Sequence, residues 1–135
     1  MKTLIVEDDR TSALVLQTIL KVYGECQVAV DGTEGLAAFL EAERAEQPFQ
    51  LICLDIMMPD LDGKDVLRSI RAIEQASGRS PQTWCHIVMT TALGDSRTVV
   101  DSFGSMCSAY LVKPIQKATL LDCLRQLRLI DVAAH

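Results

Sequence analysis

Five short apolar runs, each followed by an amphipathic stretch, set the strongest limit on what this chain can fold into. The runs are Lys2–Val6 (KTLIV), Gln27–Val30, Gln50–Asp55 (QLICLD), His86–Thr90 (HIVMT) and Ala109–Val112 (AYLV). Each is strand-length and nearly continuous in hydrophobicity, the mark of a strand covered on both faces. Between them, Leu16, Ile19, Leu20 and Tyr23 recur at helical spacing over Thr11–Tyr23, ending at Gly24. Leu36, Phe39 and Leu40 do the same over Thr33–Arg44, after an Asp31-Gly32 turn. Val66, Leu67, Ile70 and Ile73 mark a helix running out near Ser77-Gly78. A weaker helix is expected over Asp95–Phe103, and a last one from Lys117 to about Leu129. Strand and helix alternating five times predict an α/β fold, (βα)5, doubly wound: a five-stranded parallel sheet with helices on both faces. Gly78–Cys85 is the longest irregular stretch and reads as a surface excursion.

At 135 residues the chain suits one domain. The expected organisation is a single domain over residues 1–135 with no output domain. A net charge of −5 and an aromatic content of 4% argue against nucleic-acid binding, which needs a basic stripe or stacking platform. No apolar run is long enough to span a bilayer, so no membrane association is expected. The start, MKTLIVEDDR, does not read as a signal peptide. Five cysteines without CxxC spacing, and only His86 and His135 beside them, argue for free thiols in a reducing cytoplasm rather than zinc.

In an open α/β sheet, ligands sit beyond the carboxyl ends of the strands. The sequence puts Glu7, Asp8 and Asp9 after the first run and Asp55 at the end of the third. Thr91 follows the fourth, and Lys113 with Pro114 the fifth. Carboxylates crowded at neighbouring strand ends repel by roughly 4 kcal/mol per pair at about 4 Å and an effective dielectric near 20. A hard cation such as Mg2+ relieves this, and Lys113 adds fixed positive charge. Carboxylate, metal, ammonium and hydroxyl around one point suit phosphoryl transfer, with an aspartate as nucleophile. Each piece also has an ordinary reading: Asp8 or Asp9 as a helix cap, Asp55 as a turn residue, Thr91 as a strand former, Lys113 as a solvated lysine, Tyr110 as core. No phosphate-binding glycine loop is present, since Met58 stands where Gly63-Lys64 would need a first glycine. A calcium loop at Asp60-Leu61-Asp62-Gly63 fails because its first and twelfth ligands would be Met58 and Ser69.

LIVEDD (Leu4–Asp9), LDIMMPDLDG (Leu54–Gly63), TTA (Thr90–Ala92) and YLVKP (Tyr110–Pro114) together resemble the receiver domain of two-component response regulators, of the stand-alone chemotaxis kind. That resemblance, and not the periodicity, implies the flavodoxin-like strand order 2-1-3-4-5. It implies that Asp55 is the phosphoacceptor, and that Asp8 and, largely through water, Glu7 bind Mg2+ or a substituting Mn2+. Asp55 and the backbone carbonyl of Met57 would complete the metal set. Lys113 and Thr91 would stabilise the phosphoryl group, Thr91 and Tyr110 would form a switch, and Lys113–Pro114 would be cis. Asp9 falls outside the acidic pair and becomes a helix-start residue. Met57 and Leu93 would flank the path of a hydrolytic water. Gly104–Ala109 lacks an acidic pair often found before the last strand of such domains.

A receiver takes its phosphoryl group from a sensor histidine kinase or phosphotransfer protein. It is not an enzyme beyond catalysing its own phosphorylation and slow autodephosphorylation. It signals to a downstream protein through the face of the fourth helix, fifth strand and fifth helix, as a monomer or weak dimer. On the last helix Leu120, Cys123, Leu124 and Leu127 share an arc expected to face the core, which leaves Leu121 and Leu129 as partner contacts. A haloacid-dehalogenase-type phosphatase is disfavoured because Asp55-Ile56-Met57 lacks its second aspartate. The competing reading is a receiver-like interaction module that works without phosphorylation.

Overall fold

A computed structural model describes residues 1–58, 62–92 and 106–131. The helix expected over Asp95–Phe103 lies outside these residues, as do Leu93, Gly104 and Ser105. The described elements are β1 (Thr3–Val6), α1 (Arg10–Leu20), β2 (Cys26–Ala29), α2 (Gly32–Arg44), β3 (Leu51–Asp55), α3 (Gly63–Ala76), β4 (His86–Thr91), β5 (Ala109–Val112) and α4 (Lys117–Gln126). The strands form one parallel sheet in the order β2-β1-β3-β4-β5.

The continuous apolar runs arise because β1, β3 and β4 are buried on both faces. Successive side chains alternate between two cores, as strand geometry requires. Leu4, Val6, Ile52, Leu54, Ile87 and Met89 face α2 and α3, packing with Phe39, Val66, Leu67 and Ile70. Ile5, Leu51, Cys53 and Val88 face the other way, onto Ala13, Leu16 and Leu20 of α1 and Leu120, Leu121 and Leu124 of α4. All five cysteines are free thiols, and no described helix is long and apolar enough to cross a membrane.

Aspartates start three helices. Asp9 accepts from Ser12 N at 3.0 Å, Asp31 from Glu34 N at 2.8 Å and Asp62 from Lys64 N at 2.8 Å. Asp31 is therefore a cap, and the turn expected at Asp31-Gly32 is the beginning of α2. The first helix stops at Leu20, with Lys21–Tyr23 wound as a tighter 3-10 turn.

The core arc of α4 differs from expectation. Leu121 is buried (7% exposed) and Leu129 is half-buried against the same cluster, so Leu121 offers no side chain to a partner. The helix shares its cluster with both the sheet and α1, which buries a wider arc than one flat surface would. Beyond α4 the chain turns back: Arg128 N donates to Arg125 O at 3.0 Å and Leu129 N to Leu124 O at 2.9 Å. This double bond pattern normally uses glycine at the left-handed position, but Arg128 occupies it with φ 61°. Arg128→Gly is expected to raise the unfolding free energy by about 1 kcal/mol in urea denaturation, because it removes the left-handed penalty of a side chain.

The excursion after α3 is anchored by charge. Glu74 is completely buried and its Oε2 accepts from Cys85 N at 2.8 Å. Its other oxygen pairs with Arg71. The Arg71 guanidinium also donates to Cys85 O at 2.9 Å and Met106 O at 2.7 Å, and lies 5.9 Å from the Trp84 ring centroid. One side chain thus fastens α3 to the chain entering β4 and the chain entering β5.

Candidate functional site

The parallel register aligns the strand ends. Val6 sits beside Leu54, Asp55 beside Thr90, and Thr91 beside Val112. The residues that follow these positions therefore meet at one edge of the sheet. Glu7 leaves β1 buried, Asp55 ends β3 buried, and Asp8 is exposed. Glu7, Asp8 and Asp55 each present a carboxylate oxygen within 4.8 Å of the other two. Lys113, just beyond β5, spans two of them: its Nζ lies 2.7 Å from Glu7 Oε1 and 3.3 Å from Asp55 Oδ2.

Backbone groups hold the carboxylates in place. Asp9 N donates to Glu7 Oε2 at 3.1 Å, and Met57 N donates to Asp55 Oδ1 at 3.2 Å. Glu7 N is tied to Ala29 O at 3.0 Å, and Ile56 N to Thr90 O at 3.1 Å. Lys113 N donates to Thr91 O at 2.7 Å, and the Lys113–Pro114 peptide is cis. Thr91 is buried in the last position of β4, and its hydroxyl donates to Ala92 O at 3.2 Å.

Burial pushes the Glu7 carboxyl up to about 7; the Asp55 carboxylate beside it adds to the rise, and Lys113 opposes it. Burial by itself would lower the Lys113 ammonium, but Glu7 and Asp55 outweigh it and raise its pKa. The hydrogen bonds from Ser12 hold Asp9 below its ordinary value, in keeping with its role as the cap of α1. The site thus carries more carboxylate than one ammonium neutralises. Three hard oxygen donors, one of them exposed, could hold Mg2+, which takes oxygen ligands, commonly from one or two carboxylates, and keeps several waters.

The structure brings Glu7, Asp8, Asp55 and Lys113 together and sets Thr91 on the adjoining strand end, with its hydroxyl turned to backbone. Tyr110 lies in β5 with 40% of its surface exposed, rather than in the core. Met57 contributes its N–H to Asp55 while its side chain is 64% exposed. One close neighbour of the site was not legible beforehand. Gly63, the first residue of α3, donates its N–H to Ile56 O at 3.0 Å, directly behind the Asp55 backbone. In the sequence it closes the LDIMMPDLDG motif, which gives no role to the glycine itself.

Residues 3–125 match the family model of the response regulator receiver domain. The chain is similar to the response regulator protein FleR of Pseudomonas aeruginosa, with 34% identity over 121 residues, 90% of this chain and 23% of that protein. It is 33% identical to the probable transcriptional regulator ycf27 of Cyanophora paradoxa, of which it spans 47%. It therefore covers less than half the length of these two relatives. The chemotaxis protein CheY of Listeria monocytogenes is 26% identical over 93% of this chain and 97% of that one. Among solved structures, a CheY-like receiver domain protein from Methanospirillum hungatei is similar with a TM-score of 0.71 and 26% identity, covering 93% of this chain and 91% of that one.

Proposed function

The chain belongs to the response regulator receiver family of two-component systems, and on that premise we propose that it accepts a phosphoryl group on Asp55 in a Mg2+-dependent reaction. The observation that supports this most is the bridging of Glu7 and Asp55 by Lys113 beside an exposed Asp8. Asp55 is buried at the end of β3, with the exposed Asp8 beside it.

The donor is a phosphohistidine of a sensor kinase or phosphotransfer protein. An Asp55 carboxylate oxygen bonds to phosphorus as the phosphorus–nitrogen bond breaks, and the leaving imidazole nitrogen keeps the electron pair and takes up a proton. Glu7, Asp8, Asp55 and the Met57 carbonyl would hold Mg2+, or Mn2+ in its place, which supplies positive charge for the phosphoryl oxygens. Lys113, already 3.3 Å from Asp55, follows the new charge and exchanges its carboxylate partners for a phosphoryl oxygen. The Thr91 hydroxyl gives up Ala92 O and turns to the same group. Phosphorylation adds about −1.5 to −2 charge, and the shift of Thr91 and Lys113 biases β5, Tyr110 and α4 toward a conformation that a downstream protein reads. On this reading the protein works in the cytoplasm, beside its kinase.

The test is intact-protein mass after incubation with acetyl phosphate. A single phosphoryl adduct is expected with Mg2+ and none after chelation, and Asp8→Ala is expected to lose the adduct at Mg2+ concentrations that saturate the wild type. If no adduct forms, and NMR shows no response to beryllofluoride with Mg2+, the reading fails and a phosphorylation-independent interaction module takes its place.

A further inference from the structure

We propose that Gly63 is a positioning residue for the phosphoacceptor: its lack of a side chain sets where Asp55 and the following turn stand, and through them the Mg2+ affinity and the rate of phosphorylation. This rests on the reading of Asp55 as phosphoacceptor. A Cβ built on Gly63 would lie 2.2 Å from Asp55 O, 2.8 Å from Ile56 Cα and 3.0 Å from Asp55 C. An ordinary carbon–oxygen contact needs about 3.3 Å or more, so the backbones must part by roughly 1 Å to admit a methyl group. All three contacts are backbone, so no flexible side chain can give way.

The end of β3 and the start of α3 meet at this contact, and both are held. The strand is pinned between β1 and β4, with Ile56 N on Thr90 O. The helix is pinned by Val66, Leu67 and Ile70, all fully buried. The backbone that a Cβ would displace is that of Asp55 and Ile56 itself, and it carries the Asp55 carboxylate and leads to the N–H that Met57 donates to it. Gly63 is placed in neither the metal set nor the phosphoryl contacts, so it acts only through the Asp55–Ile56 backbone. A misplacement of about 1 Å at a reacting group costs roughly 100-fold in rate, and outer partners of metal ligands are worth about 10- to 100-fold in affinity.

The experiment uses the full chain with Gly63→Ala, and Asp62→Ala as a control that removes the α3 cap without adding a Cβ behind Asp55. Mg2+ is titrated into 15N-labelled protein by NMR, and adduct formation from acetyl phosphate is timed at several Mg2+ concentrations. Gly63→Ala is expected to raise the Mg2+ midpoint about tenfold or more and to slow phosphorylation roughly 100-fold at wild-type saturating Mg2+. Asp62→Ala is expected to lower the thermal midpoint while leaving the Mg2+ midpoint unchanged, which a purely structural role for this helix start would not separate. A folded Gly63→Ala protein with a wild-type Mg2+ midpoint overturns the proposal. Should Gly63→Ala not fold, the wild-type titration decides: the Gly63 amide must shift with the same midpoint as Asp8 and Met57, and a stationary Gly63 amide overturns it. Absence of adduct on the wild type is the failure of the phosphoacceptor reading, and leaves the Mg2+ arm to judge Gly63.

Discussion

Asp55→Asn is expected to take up no phosphoryl group under any Mg2+ concentration, while keeping its fold. The amide matches the carboxylate in shape but has no anionic oxygen to attack phosphorus, so the loss is of the nucleophile itself. The variant separates chemistry from stability unusually well. Asp55 is buried beside Glu7, with one ammonium between them. Removing one of two like charges relieves a repulsion worth up to a few kcal/mol at an effective dielectric near 20; the pair with Lys113 at 3.3 Å is lost, but Glu7 keeps that ammonium paired at 2.7 Å, so the thermal midpoint is expected to hold or rise. Intact mass gives the first quantity and a thermal melt the second. Labelling retained in Asp55→Asn would place the phosphoacceptor elsewhere and sink the assignment.

The second large effect is on stability and lies at the opposite end of the sheet. Arg71→Ala leaves Glu74 wholly buried with only the Cys85 N–H as partner, and frees the carbonyls of Cys85 and Met106. Breaking a buried pair by removing one member costs about 3–5 kcal/mol, because the remaining charge stays desolvated. For a chain of this size that is a fall in melting temperature of roughly 10–20 °C. Arg71→Met combined with Glu74→Gln should recover part of the loss, since no uncompensated charge then remains. Urea denaturation of the two single variants and the pair measures the coupling. A loss under about 1 kcal/mol in Arg71→Ala would mean that Glu74 is solvated or protonated there and that the anchor is not ionic. Below its melting point Arg71→Ala should still be phosphorylated, because the pair touches no residue of the acidic cluster.

Much of the architecture is legible in the residues for a physical reason. Strands buried on both faces favour apolar side chains, so the interiors of β1, β3 and β4 appear as apolar runs with polar residues only at their ends. The edge strand β2 carries Gln27 on an exposed position, and its bounds sit one residue earlier than its apolar residues suggest. The site is legible because a parallel sheet brings every strand's carboxyl end to one edge, so residues such as Asp55 and Lys113 meet whatever lies between them. What stays hidden depends on tertiary contact. Arg71 and Glu74 meet the Cys85 and Met106 backbone only once the chain beyond α3 folds over them. Leu121 looks exposed until α1 and the sheet enclose its side of α4. Gly63 ends a recognisable motif, but nothing in that motif shows the Asp55 backbone it abuts.

The alignment of strand ends also dictates when in its own synthesis the protein becomes competent. Glu7 and Asp8 leave the ribosome early, and Asp55 midway. Lys113 follows only after β4 and the whole of β5, and it is held by the bond from its N–H to Thr91 O. Until that last strand docks, the emerging chain carries a cluster of acids without its ammonium, and no shorter piece of it can assemble the site. With chain growth at about 5–20 residues per second, the acids wait several seconds for their counter-charge. The closing of the whole sheet is therefore the condition for Glu7, Asp8, Asp55 and Lys113 to stand together.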